Sequence, residues 1–165
     1  MNENDWDEWC ANLPAEKREA ARRMFAKLFD LGSAEELREV VWSEFDQDVP
    51  ELSRFLLLRR IWVDLIRSWS PSNDLHRLPV IERLTEQGAN LDDLSRLAQS
   101  VAYETAFGLL YLLDSGQDLT TSGAPGWRIY EVDGEGHPTA RTLGGLHESL
   151  LSADPSGHEG MDFLD

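Results

Sequence analysis

The sequence predicts a mainly α fold, a single-domain helical bundle of about five helices with a short C-terminal β-hairpin. Three observations predict it. Apolar residues recur at i, i+3 and i+4 through residues 14–116. Helix start and stop signals punctuate that stretch at Pro14, Gly32, Ser33, Pro50, Pro79, Gly88, Asn90 and Gly116. After Gly126 the apolar spacing shortens towards two around Asp133-Gly134. At 165 residues the chain suits one domain, since single cores typically serve ~100–200 residues. It divides into an acidic Trp-containing arm (1–13), the helical bundle (14–116), and a loop, hairpin and acidic tail (117–165).

Residues 1–13 hold four acids and no base, with Trp6 and Trp9 at helical spacing, and read as an aromatic docking arm. Pro14 suits the first turn of helix one, where Ala20, Met24, Phe25, Leu28 and Phe29 recur on one face until Gly32. Ser33-Ala34-Glu35-Glu36 is a capping box, in which hydroxyl and carboxylate satisfy each other's free amides. It opens helix two, whose stripe is Leu37, Val40, Val41, Trp42 and Phe45. Pro50 opens helix three, apolar over a wide arc from Leu52 to Trp69. Pro79 to Gln87 forms a short fourth helix ended by Gly88. Asn90 caps helix five, which runs to Gly116. The second half of helix five, Ala106 to Leu113, is apolar almost all round, the pattern of a helix central to a bundle and surrounded by helices one to three. Gly108 within it suggests a close helix approach.

Gln117 to Gly126 is a loop by composition. Trp127, Ile129 and Val132 are expected to face apolar partners on the first strand, Asp133-Gly134-Glu135-Gly136 to turn, and Pro138 to Leu143 to return. An isolated hairpin is marginal in water, so it must lean on the helices. Leu146 to Leu151 suits one or two helical turns, and Asp154-Pro155-Ser156-Gly157 a rigid turn.

Charge narrows the function classes. Thirty-one acids against fifteen bases give a net charge of −16. From Val101 to Asp165 the only bases among eleven acids are Arg128 and Arg141. Such a field repels phosphate backbones and attracts cationic surfaces, so a nucleic-acid partner is disfavoured and a basic protein partner favoured. The Arg and Lys of helices one and three, Arg54, Arg59, Arg60 and Arg67 among them, are expected to pair internally. One cysteine, Cys10, forms no disulfide framework and is expected half-buried without thiolate chemistry. No basic-then-apolar leader opens the chain, and no apolar run approaches the ~20 residues that span a bilayer. These features set the expectation of a cytoplasmic protein with no membrane association.

Catalytic and cofactor signatures are weak, so the expectation is a non-enzyme with no cofactor. The richest polar cluster, His147, Glu148, Asp154, His158 and Glu159, supplies metal-ligand and acid–base groups. Neighbours on a helix point about 100° apart, however, and the spacing misses the two-His zinc motif. Metal chemistry through His147, Asp154, His158 and Glu159 is therefore the alternative, with a homo-oligomer using exposed Trp as a third class. Glu104, within an apolar helix, is either a buried functional carboxylate or one that emerges at a gap in the packing or pairs with an arginine of helix three. The expected partner contacts are Trp127 and Tyr130 as anchors with Glu131, Asp133, Glu135, Glu148, Asp154 and Glu159 as the charged set.

The segment Gly126-Trp127-Arg128-Ile129-Tyr130-Glu131-Val132-Asp133-Gly134-Glu135-Gly136, with Gly145 to Leu151 and Asp154-Pro155-Ser156-Gly157, resembles uncharacterised small acidic bacterial proteins, some similar to immunity proteins of polymorphic toxin systems. The likeness covers about forty residues and brings no catalytic residue. It implies a protein that neutralises a basic partner such as a toxin by covering its active cleft.

Overall fold

The computed structural model describes residues 1–118 and 120–164, apart from the side chain of Asp74. Leu119 of the expected loop and Asp165 of the expected tail lie outside the described residues. The fold is mainly helical with a two-stranded antiparallel hairpin near the C-terminus, as the periodicity predicts. Eight α-helices occur among the described residues rather than about five. Beyond those five stand the N-terminal segment, the helical turn expected after Gly145 and a one-turn helix at Met161–Leu164. The chain forms two compact units, one of residues 1–55 and 131–142, the other of residues 56–130 and 143–165.

The first unit opens with α1 (Glu3–Asn12), so residues 1–13 are not a free arm. The Asn2 side chain accepts the Asp5 amide, and Glu3 and Asp5 place negative charge at the positive end of the helix. At its other end Arg18, on α2 (Ala15–Leu28), donates to the Cys10, Ala11 and Leu13 carbonyls at 2.8–2.9 Å. Trp6 and Cys10 enter a core with Ala21, Leu28, Leu37, Val40, Val41 and Phe55. Trp6 packs its ring 5.2 Å from Trp9 and 5.3 Å from Phe25. The arm folds inward because its tryptophans share one helical face, whose burial outweighs the solvation of the acids on the other. Cys10 is fully buried rather than half-buried, and burial pushes its thiol up against a smaller opposing pull from Arg22. It offers no thiolate.

A 3₁₀ turn, Phe29–Leu31, leads to α3 (Ala34–Asp46), which carries the expected capping box: Glu36 N to Ser33 Oγ at 3.2 Å and Ser33 N to Glu36 Oε2 at 3.3 Å. Glu44, late in α3, accepts the Leu52 amide at 2.8 Å and so caps α4 (Glu51–Arg60) from a distance. The strands are β1 (Ile129–Val132) and β2 (Pro138–Leu143). Alternation turns Ile129 and Glu131 inward and leaves Tyr130 and Val132 exposed, so Val132 does not face an apolar partner. At the turn the Asp133 carboxylate accepts the Glu135 and His137 amides, both at 2.9 Å, and Gly136 takes φ +87°. Arg141 of β2 binds the Glu44 carboxylate and the Val49 carbonyl, which supplies the support the hairpin needs.

In the second unit α4 does not continue regularly to Ser70. It passes into a π-helical turn, Ile61–Ile66, where Arg67 N reaches back five residues to Trp62 O at 2.8 Å. The wide turn seats both Trp62 and Ile66 with no exposure in a core shared with Tyr103, Ala106, Leu110, Leu146, Leu150 and Phe163. The Trp62 indole donates to Leu150 O at 2.6 Å. Then come α5 (Pro79–Glu86) and α6 (Leu91–Ser115), the latter capped by the Asn90 side chain and ended by Gly116 at φ +67°. The tail adds α7 (Leu146–Ser149) and α8 (Met161–Leu164). Helix α6 packs on the π turn, which continues the expected helix three, and on α5, α7 and α8, while the expected helices one and two, α2 and α3, belong to the first unit. One face is left in solvent. Gly108 meets no neighbouring atom within 4 Å of where a Cβ would stand, so it marks no close approach.

Candidate functional site

The charged residues expected to meet a partner fall into two groups. Glu131 keeps only 14% of its side chain exposed. Its carboxylate accepts Ser53 Oγ at 2.9 Å and Thr139 Oγ1 at 3.3 Å, and lies 3.5 Å from Arg141. It therefore holds the hairpin in the first unit and is not a surface contact. Asp154 is buried completely, with 0% side-chain exposure. Its oxygens accept the Ser156 amide (3.0 Å), the Gly160 amide (3.0 Å), Ser156 Oγ (2.8 Å) and Arg67 (2.6 Å). The turn at residues 154–157 forms as expected, with Gly157 N on Asp154 O at 2.9 Å, but its acid points inward.

Arg67 gathers this region. Besides Asp154 it binds Asp162 at 2.5 and 3.1 Å and Ser156 Oγ at 2.9 Å, and its guanidinium stands 5.3 Å from the Trp62 ring centre and 5.0 Å from that of Phe163. The planar fork of arginine meets this dense set of acceptors through its two terminal nitrogens. Burial alone would lower the Arg67 pKa, yet Asp162 and Asp154 outweigh it and raise it.

The remaining acids face solvent. Asp133 is exposed while capping its turn, and the His137 and Glu135 amides hold its carboxyl below the usual range. Glu135, Glu148 and Glu159 are exposed. Glu104 also emerges to solvent, which removes it as a buried functional carboxylate. Trp127 is partly exposed, with its indole N–H on Leu112 O at 3.0 Å, and Tyr130 is exposed beside it in sequence. The basic residues pair as expected at Arg60–Asp64, Arg54–Glu51 and Arg23–Glu19.

His147, Asp154, His158 and Glu159 do not converge. His147 Nδ1 lies 2.6 Å from Asp114 Oδ2, which also accepts the His147 amide at 2.9 Å, while Asp154 belongs to Arg67. His158 and Glu159 are exposed. Among the described residues no three His, Cys, Asp or Glu side chains are placed to share a metal ion. The His147–Asp114 pair is nonetheless well built, with Phe107 and Tyr111 edge-on to the imidazole at 5.7 and 5.2 Å. The Asp114 carboxylate places the hydrogen of this contact on His147 Nδ1 and fixes the orientation of the ring. Thirty-three residues separate the partners, too far for local spacing to show them.

The surface that the sequence did not place is the outer face of α6. Leu97, Val101 and Leu112 are 62%, 57% and 58% exposed. On a 3.6-residue repeat they share one side with Gly108, opposite buried Ser95, Tyr103, Ala106 and Leu110. Helical apolarity all round was the available signal, and it fits a central helix and a helix offered to a partner equally well. In comparisons with known proteins, no family model, no curated protein and no solved structure matches the chain. Among the described residues no helix is long and apolar enough to cross a membrane.

Proposed function

We propose that this chain is an acidic protein-binding module that neutralises or regulates a basic protein partner, in the manner of an immunity protein or toxin inhibitor, and acts in the cytoplasm. The observation that carries this reading is where the compensating bases go. Of the two beyond residue 100, Arg141 is committed to Glu44 and Val49, which leaves Arg128 as the other base to set against exposed Asp133, Glu135, Glu148 and Glu159. The uncompensated field steers cationic surfaces into encounter, and rim carboxylates of this kind act mainly on association rate and specificity. Trp127 supplies an aromatic anchor.

Capture from the native cell with the intact chain and with a Glu135→Lys/Glu148→Lys/Glu159→Lys variant tests the proposal. A basic protein retained by the first, released by moderate salt, and lost from the equally folded second is the expected result. Retention of no basic protein, or retention indifferent to charge reversal, overturns it.

A further inference from the structure

The outer face of α6 is an apolar strip with nothing from its own unit laid over it. Leu97, Val101 and Leu112 stand in solvent along a helix of 25 residues. Gly108 lies between Val101 and Leu112 on that side, with open space where its Cβ would be. At the C-terminal end Trp127 extends the strip. Its indole N–H is already satisfied by Leu112 O, so what it shows to solvent is ring carbon. Along one edge run exposed Asp93 and Glu104, with exposed Arg96 one turn from Asp93 and farther from the apolar line, so the edge keeps a net negative charge. Glu104 and Thr105 are exposed between Val101 and Leu112, so the apolar contacts fall at the two ends of the face with Gly108 between them; large apolar side chains exposed along one helix face mark an interaction site.

Charge decides the occupant. A second copy of this chain would bring its own Asp93 and Glu104 and a further net −16 to the same face, so like charges would oppose the contact. A basic helix complements both features, its apolar stripe on the Leu97–Leu112 strip and its flanking cations on the acidic edge. We infer that the α6 face is the docking site for an amphipathic helix of the partner, apolar on one side and flanked by Lys or Arg, with Gly108 as the notch that lets the two helices approach closely. This rests on the binding-module reading above and adds where the partner lands and which element it uses.

The test uses the full chain and two synthetic peptides of identical Leu/Lys composition. One carries Leu at i, i+3, i+4 and i+7, the other the same residues scrambled to remove the stripe. Amide chemical shifts locate binding and titration gives affinity. The striped peptide is expected to shift residues 97–112 and Trp127 and to bind at least about tenfold more tightly than the scrambled one. Two variants should lose about tenfold or more: Val101→Ser/Leu112→Ser, which removes apolar contact, and Gly108→Lys, which fills the notch with a better helix former and so keeps the fold. Equal binding of both peptides, shifts elsewhere, or insensitivity to both variants overturns the docking site and leaves the charge-based function standing. Self-association abolished by Gly108→Lys also overturns it, in favour of a second copy. Failure of both peptides together with failure of the native capture removes the function itself.

Discussion

At the scale of the residue, Arg67 does the most. It satisfies Asp154, Asp162 and Ser156 together while stacking near two aromatic rings. Removing one member of a buried pair leaves the other charge stranded, at a cost of about 3 kcal/mol or more. Arg67→Gln is therefore expected to lower stability by about 3 kcal/mol, read as a fall in the denaturation midpoint; a loss under about 1 kcal/mol would contradict it. The acid limb follows from the same residues. Arg67 holds the Asp162 carboxyl below the usual range. For Asp154 burial pushes the other way and is outweighed by the Ser156 and Gly160 amides and Arg67. A carboxylate with a depressed folded-state pKa contributes stability that is complete above its unfolded value of about 3.9 and is lost as pH falls through the folded value. The protein should weaken below about pH 4, and Arg67→Gln should weaken less steeply there; equal slopes in acid denaturation would refute the assignment. Local chemistry made the Asp154 turn and the Asp133 turn legible. Arg67 was legible only as a base in need of a partner, because that partner lies 87 residues away.

At the scale of the element, punctuation was readable and orientation was not. The Ser33–Glu36 box, the Asn90 cap and the Gly116 stop each depend on residues within three positions, and each occurs as spacing predicts. The fate of the first thirteen residues, the π turn after Arg60 and the open side of α6 depend on what packs against them, which periodicity does not encode. Two glycines on α6 give opposite expectations. Gly108→Ala adds a methyl group into empty space in a helix interior and should stabilise by about 0.5–1 kcal/mol. Gly116→Ala forces a left-handed φ on a residue with a Cβ, 3.2 Å from Trp127 O, and should destabilise by about 1 kcal/mol or more. Thermal denaturation of both checks the pair, and the same sign for both would show that the α6 terminus is not built as described.

At the scale of the whole molecule, self-repulsion from a net charge of −16 opposes compaction. Raising ionic strength from about 0.01 M to 0.15 M shortens the screening length from about 30 Å to 8 Å, and should raise the melting temperature while the largely buried Arg67 cluster stays intact. A melting temperature that falls over this range would show that attractive surface pairs, not repulsion, dominate. The mainly helical class and the hairpin were legible from periodicity and composition, and the sign of the partner's charge was readable as an expectation. The exposed side of α6 was not, since an apolar residue in a sequence carries no mark of which side of a fold it will occupy. The hairpin has one more effect, on the order of events during synthesis. Helices α1 to α3 leave the ribosome early, but the residues that complete their unit, 131–142, follow about eighty residues later, with Arg141 closing a span of 97 residues back to Glu44. Vectorial folding can therefore finish the first-made part of this protein only after most of the second has emerged, and a nascent chain stalled before residue 131 exposes the Glu44 and Val49 groups that Arg141 would otherwise occupy.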